Sequence, residues 1–330
     1  MRDDLHAGRR HLTESQRTTT QDDVRRLAEA RWQQIERERP DLAAALSLQR
    51  ELLGRVAEVA NALDAAGWRP PFIESRSVSA CVRGGRSLLQ EHAVEIPRDI
   101  VEPALFDICL LLEEGGAGEP ARHVRDVLRE GRLNPGSLLR ASLARRQGDI
   151  LTGATQLGLA PDLVWLVAEL SVGPVAHAFQ RATLEGVDLT DEVRSALEAW
   201  TLGRCPACGS WPALAERTAD GTLVCRCSFC GSRWRLAGTV CPYCAASEPQ
   251  VETIRPLTGH PDWRLLTCGG CQGYLKVVDA DESIPWALLP IEDLATTALD
   301  VDAMERGLTR PPMPDATADD AGCGARVTPA

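Results

Sequence analysis

Lysine is almost absent from this chain of 330 residues: Lys276 is the only one, and every other basic side chain is arginine. No lysine follows a glycine, so the Gly-Lys-Ser/Thr of a phosphate-binding P-loop cannot be built. Long apolar runs are missing as well. The longest, Leu105 to Leu112, is interrupted by Asp107 and is far shorter than the ~20 residues that span a bilayer, so membrane insertion is not expected. The start, Met1-Arg2-Asp3-Asp4-Leu5-His6, lacks the apolar core of a secretion signal, and the expected compartment is the cytoplasm. Positive charge is not in surplus either. A formal net charge of −11 has the wrong sign for a generic nucleic-acid binder, which neutralises phosphates with a basic surface.

Cysteine, by contrast, is abundant. There are 12, and nine of them fall between Cys205 and Cys271. In a compartment that keeps thiols reduced, such a cluster reads as metal ligation or redox work rather than disulfides. The hydrophobic share of 44% and the charged share of 25% are those of a globular chain, and the length suits roughly two domains.

The patterning divides the chain. Residues 1–20 read as a loose polar tail, and 21–203 as one all-helical domain. Val24, Ala28, Trp32 and Ile35 recur at helical spacing, as do Leu42, Leu46, Leu53, Val56, Ala60 and Leu63. Gly67 and Pro70-Pro71 end that second stripe. Further helices are expected at about 101–113, 119–130, 137–147 and 161–184. Gly131 suits a left-handed C-cap, and Asn134-Pro135-Gly136-Ser137 reads as a turn into a serine cap. A last helix starts at Thr190 with Val193, Leu197 and Trp200 on one face.

At Gly203-Arg204-Cys205 the texture changes to short alternating segments at 222–225, 232–236, 251–254, 263–266 and 274–278. Turn signals such as Ala219-Asp220-Gly221 and Thr258-Gly259-His260-Pro261 separate them. A short helix from about Ile291 to Arg306 closes the fold. The fold class expected is α+β, an all-α domain followed by two small rubredoxin-like or zinc-ribbon β modules at 204–236 and 237–306. The Pro/Asp/Ala-rich end, 307–330, reads as disordered.

Four Cys-x-x-Cys units carry the chemistry: Cys205/Cys208, Cys227/Cys230, Cys241/Cys244 and Cys268/Cys271. Tetrahedral metal–sulfur bonds of about 2.3 Å bring sulfurs within about 4 Å, which a two-residue knuckle achieves while turning its amides toward them. Glycine after the second cysteine eases the left-handed turn, and it stands at Gly209 and Gly231. Ala245 and Gln272 hold the matching places in the later knuckles and fit less well. Eight ligands make two sites of four thiolates each. Sequential pairing suits one hairpin per site, with cross-bracing as the alternative. Cys225, two residues before Cys227, points the other way along a strand and reads as a buried thiol. A closed four-sulfur site leaves no open coordination position for hydrolysis, so the metals read as staples for ribbons too small to fold on burial alone. Iron in the same geometry could instead carry an electron.

The run Trp200-x-x-Gly203-x-Cys205-Pro206-x-Cys208-Gly209-Ser210 resembles the start of the metal domain in the formate dehydrogenase accessory protein (FdhE) family. The likeness continues through Gly221-x-Leu223, Cys227-x-x-Cys230, Trp234 and Cys241-Pro242-x-Cys244. It is sharpest in Cys268-x-x-Cys271-x-x-Tyr274-Leu275-Lys276 and in Asp293-Leu294-Ala295-Thr296 followed by Leu299-Asp300. The resemblance implies a non-catalytic cytoplasmic maturation factor, or chaperone, that contacts the formate dehydrogenase catalytic subunit and holds iron, with zinc as the other candidate. An electron-transfer or thiol-redox protein acting on the same enzyme is the alternative, and a nucleic-acid-binding ribbon is disfavoured by charge.

Other signals read blandly. Gly116-x-Gly118-x-x-Ala121 faintly suggests a dinucleotide loop, but Pro120 and the lack of βαβ alternation favour a helix-to-helix link. Cys81 and Cys109 read as packing residues, Trp200 as core at the domain junction and Trp234 as a shield over a metal site. No histidine stands beside a knuckle in sequence.

Overall fold

The structure, a computed structural model, describes residues 21–185, 189–236, 240–256 and 260–313. The expected tail at 1–20, the turn residues Thr258-Gly259, and 314–330 with Cys323 lie outside the described residues.

Helices α1 (Gln21–Glu38) and α2 (Ala43–Ala65) follow the two apolar stripes. Gly67 takes a φ of 65° just past α2, where a left-handed residue lets the chain leave the helix. Next come α3 (Ser75–Arg83), α4 (Leu88–Glu91), α5 (Arg98–Leu112) and α6 (Gly118–Arg129). Gly116 and Gly118, both at positive φ, lie where α5 bends into α6, so the faint dinucleotide signal is a helix-to-helix link. The helix expected at 137–147 ends at Leu143 as α7 (Pro135–Leu143), because Arg145 adopts a φ of 56°, and a further helix, α8 (Gln147–Gln156), follows where none was expected. The cap of α7 is Asn134 rather than Ser137: its side chain accepts from the Ser137 amide at 2.9 Å, with Pro135 at the first helical position.

α9 (Pro161–Leu184) runs through the middle of the bundle and packs against α2, α5, α6, α7 and α8. Among the described residues it is the one helix long and apolar enough to cross a membrane, and 61% of its apolar window is buried inside the protein. α10 (Asp191–Glu198), capped by Thr190, packs on α3.

Among the described residues six strands follow: β1 (Leu214–Arg217), β2 (Leu223–Arg226), β3 (Arg233–Arg235), β4 (Val251–Ile254), β5 (Trp263–Cys268) and β6 (Tyr274–Asp279). They form one sheet in the order β3-β2-β1-β6-β5-β4. The pairings are antiparallel except for β1 with β6, which is parallel. Each ribbon contributes two strands, a knuckle and a third strand. The first strand of one ribbon pairs with the last strand of the other, so the two copies join head to tail. The two expected modules therefore share a sheet. β1 escapes sequence reading because Glu216, a carboxylate, sits buried within it. Glu216 pairs there with the buried Arg226 and accepts from the Ile284 amide at 2.7 Å.

The expected closing helix is broken at Thr296 into α11 (Leu289–Ala295) and α12 (Thr297–Glu305). α11 lies on α1, where Arg31 donates to both oxygens of Glu292 at 2.7 and 2.8 Å, beside a cluster of Trp32, Ile35, Leu46, Leu288 and Ile291. α12 covers β5 and β6 with Leu299 and Ala303. Gly307–Met313 differs from the disorder expected there: the Thr309 amide bonds to the Gln272 carbonyl at 2.8 Å.

Candidate metal centres

The four knuckles share one backbone design. The first cysteine's amide donates to the carbonyl five residues on: Cys205 to Ser210 at 2.9 Å, Cys227 to Ser232 at 3.0 Å, Cys241 to Ala246 at 2.8 Å and Cys268 to Gly273 at 2.9 Å. The residue after the second cysteine is left-handed in all four, with φ of 85° at Gly209, 83° at Gly231, 58° at Ala245 and 57° at Gln272. The last two are strained in that conformation by a Cβ that crowds the backbone. Gln272 offsets part of the strain by donating its side-chain amide to the Gly269 carbonyl at 2.8 Å.

The sulfurs group sequentially. Cys205, Cys208, Cys227 and Cys230 form one cluster and Cys241, Cys244, Cys268 and Cys271 the other, each with its sulfurs within 4.8 Å of one another. Four sulfurs about 2.3 Å from a common centre lie about 3.8 Å apart along each edge. The separations are 3.5 Å for Cys205–Cys230 and Cys208–Cys227 and 3.7 Å for Cys208–Cys230. In the second cluster they are 3.6 Å for Cys241–Cys271 and 3.7 Å for Cys244–Cys268. Both donor sets therefore fit a tetrahedral ion bound through thiolates, and both could hold a metal.

The first cluster is sealed by the helical half. All four of its cysteines are buried. The amides of Leu88 and Leu89 donate to the Pro206 and Ala207 carbonyls at 3.1 and 2.8 Å, and Ser87 Oγ donates to the Cys205 carbonyl at 3.0 Å. On the other knuckle, Trp286 Nε1 donates to the Ser228 carbonyl at 2.8 Å and stacks on His177, whose Nδ1 lies 3.0 Å from the Cys230 carbonyl. Burial pushes the His177 pKa down to about 4, so the ring is neutral and donates that hydrogen bond. Arg145 is buried between the Trp165 and Phe229 rings and pairs with Glu169 at 2.9 Å. Burial drives the Cys205 and Cys230 thiols up. At Cys208 burial pushes the same way but is overcome by hydrogen bonds from the other three thiols and by the Arg145 charge, which hold it down. Ser210 and Ser232 hydroxyls lie 3.1 and 3.4 Å from Cys208 and Cys230 sulfurs. Trp200, expected at the junction, is buried and donates its indole N–H to the Arg204 carbonyl at 2.9 Å.

The second cluster is more open. Cys241 and Cys268 are buried, while Cys244 and Cys271 are exposed. The two clusters meet at Gly203, where a Cβ would fall 2.0 Å from the Pro242 oxygen; only glycine lets the chain entering the first knuckle pass so close to the third. Behind the second cluster, β6 carries Lys276 into full burial. Its ammonium pairs with Asp293 at 2.7 Å and Asp300 at 2.9 Å and donates to the Asp293 carbonyl at 2.8 Å. Tyr274 donates its hydroxyl to Asp300 at 2.8 Å, and Arg310 reaches both carboxylates at 3.3 and 3.2 Å. Tyr274, Lys276, Asp293 and Asp300, which stand apart in the sequence motif, are thus one network. A buried ammonium tolerates this position only because two carboxylates face it.

The remaining candidates fall outside the clusters. Cys225 is buried in β2 opposite Trp234, and burial pushes its thiol up. Cys81 and Cys109 are buried with pKa values raised by burial to about 11 and about 12, the behaviour of inert packing thiols. Trp234 lines the groove toward α10 with Leu197 and Val224. His260 stacks on Trp263. Sequence reading misses Ser87–Leu89, Arg145, His177 and Trp286, all brought to the first cluster from distant segments. No local signal marks them, because their contacts are made mostly through knuckle carbonyls.

No family model matches the chain. It is 32% identical over 115 residues to a protein named Protein FdhE homolog from Haemophilus influenzae, covering 34% of this chain and 37% of that one. A Protein FdhE homolog from Pseudomonas aeruginosa is 32% identical over 117 residues, again 37% of its length. The chain thus spans little more than a third of the length of the curated relatives it matches. The crystal structure of the FdhE protein from Pseudomonas aeruginosa is similar across 90% of this chain and 96% of its own, with a TM-score of 0.54 and 21% identity. The resemblance to the FdhE family therefore holds in sequence over a third of this chain and in fold over nine-tenths of it.

Proposed function

We propose that this chain is a non-catalytic, cytoplasmic accessory factor for formate dehydrogenase that binds the enzyme's catalytic subunit during its maturation. In this reading Cys205, Cys208, Cys227 and Cys230 ligate one ion and Cys241, Cys244, Cys268 and Cys271 another, either iron or zinc. When bound, such an ion would cross-link two knuckles and so brace the sheet. The chain would divide into a helical domain at 21–203 and metal ribbons at 204–236 and 237–306. The observation that carries the reading is the pair of closed four-sulfur clusters, fixed on one sheet and packed against a helical bundle, in a chain similar to FdhE proteins. Such clusters leave no coordination position for a substrate, and among the described residues they are the chemistry-bearing groups. A rigid docking surface follows more readily than a reaction.

Co-purification under reducing, anaerobic conditions with a tagged catalytic subunit tests the reading. Stoichiometric association supports it, and its absence with an intact, metal-loaded chain overturns it. A second reading, electron transfer or thiol redox on the same enzyme, is favoured only by the exposure of Cys244 and Cys271. A reversible visible redox spectrum would distinguish it.

A further inference from the structure

The segment Leu308–Met313 crosses the molecule as an extended strap. It begins beside the second cluster, where Thr309 forms a parallel bridge with Gly273 and its amide bonds to the Gln272 carbonyl at 2.8 Å. Arg310 then drops its guanidinium between Asp293 and Asp300, 3.3 and 3.2 Å away, and over the Tyr274 ring. Two residues on, the Pro312 carbonyl accepts from Trp211 Nε1 at 2.8 Å, three residues past Cys208. Met313 ends the segment with its sulfur 3.8 Å from Arg145. One short segment thus reaches from the second cysteine cluster to the first and onto the helical bundle. Beside it lies a cleft of about 200 Å³ whose other walls include Trp165, Glu169, Ser210 and Tyr243.

The contacts are of three kinds. Those of Thr309 and Pro312 use backbone atoms that any extended polypeptide supplies, that of Arg310 uses one charge, and the side chains of Leu308 and Met313 meet the cluster of Leu265 and Leu299 and the Arg145 guanidinium. This is the pattern of strand-addition recognition, where main-chain bonds hold the ligand and a side-chain pocket selects it. The seat is built for a cation: Asp293 and Asp300 carry two negative charges and the buried Lys276 offsets one, leaving one for Arg310. Thr309, Arg310 and Pro312 of the strap are on the surface while Leu308 is buried, so a competitor can reach the bonds of the exposed half. We propose that this groove is a docking site for an extended protein segment carrying an arginine, and that the chain's own strap is its intramolecular competitor. The inference deepens the client-binding reading above and rests on it for the identity of the partner.

The test uses the full chain and a fluorescent peptide of sequence Leu-Thr-Arg-Pro-Pro-Met, read by anisotropy. Arg310→Ala weakens the strap without touching the seat, so the variant is expected to bind the peptide about tenfold more tightly than the unaltered chain, because a larger fraction of its grooves is open. Changing the peptide's arginine to glutamate is expected to abolish binding. Equal affinity for the two chains, or no binding by a variant that melts like the unaltered one, overturns the proposal. Should the variant not fold, hydrogen exchange on the unaltered chain decides. Saturating peptide must speed exchange at the Thr309 amide, and an unchanged rate overturns the groove. Peptide binding without co-purification of the enzyme subunit would overturn the function proposed above and leave the groove standing. Co-purification without peptide binding would overturn the groove alone.

Discussion

The two cysteine clusters have the same topology and nearly the same sulfur geometry, yet they are built to different tolerances. In the first, both knuckles read Gly-Ser after the second cysteine: Gly209 and Gly231 take the left-handed turn without a side chain, and a serine hydroxyl sits near the sulfurs of Cys208 and Cys230. In the second, Ala245 and Gln272 occupy the left-handed position, Ala246 and Gly273 stand where the serines are, and two of the four cysteines face solvent. Glycine at the first site is enforced from outside as well as by φ, because a Cβ on Gly231 would fall 2.6 Å from His177 Nδ1. The helical bundle presses on the first cluster so closely that no side chain fits. The second is less enclosed at Cys244 and Cys271, although a Cβ on Gly273 would still fall 2.7 Å from the Tyr243 ring. The difference places the added constraint at Gly231 in the packing of the helical bundle rather than in ligation itself.

Removing a ligand should separate the sites most. A structural four-thiolate site contributes on the order of 10 kcal/mol to folding, so Cys205→Ser is expected to lower the denaturation midpoint drastically and expose the bundle face it seals. Cys244→Ser should lose the second ion while leaving most of the helical signal intact; circular dichroism with metal analysis checks both. Equal collapse in the two variants would break the comparison. Under a chelator and iodoacetamide, Cys244 and Cys271 should be alkylated well before any cysteine of the first cluster, which mass spectrometry of digested protein reads directly.

Gly231→Ala should destabilise by about 2 kcal/mol, combining the strained φ with the clash against His177, in urea titration. Asp293→Asn tests the support behind the second cluster. Burial raises the Asp293 pKa, but Lys276 and Arg310 outweigh it and hold the carboxyl below its ordinary value. A folded-state pKa lower than the unfolded one adds stability that is complete above the unfolded value and is lost as pH falls through the folded value. The chain should therefore exceed this variant in stability near neutral pH, and the gap should close as pH falls below about 4. The smallest effect expected is from Ala245→Gly, a stabilisation of about 1 kcal/mol from relief of left-handed strain, visible as a slightly raised melting temperature.

Much of this was legible residue by residue. Helical stripes such as Val24–Ile35 and the 161–184 segment mark their own elements, because one face of a helix must be apolar wherever it packs. Three helices were not legible. α4 is a single turn, α3 buries Ser79 along with Val78 and Val82, and α8 carries two poor helix formers, Gly148 and Gly153, within ten residues. β1 hid behind Glu216, whose burial makes sense only once Arg226 from the neighbouring strand is beside it.

The amino-acid sequence alone settled the knuckles and their number, because a two-residue spacing between cysteines is a local instruction that needs no distant partner; it left sequential and cross-braced pairing both open, and the fold chose the sequential one. The sequence could not determine that the ribbons join head to tail through β1 and β6, that Ser87, Arg145, His177 and Trp286 converge on one cluster, or that Lys276 is buried between Asp293 and Asp300. Those relations depend on which backbone carbonyls and charges come to face one another across the fold. The energy of a buried hydrogen bond or ion pair exists only when both partners are desolvated together, and tertiary packing alone decides that.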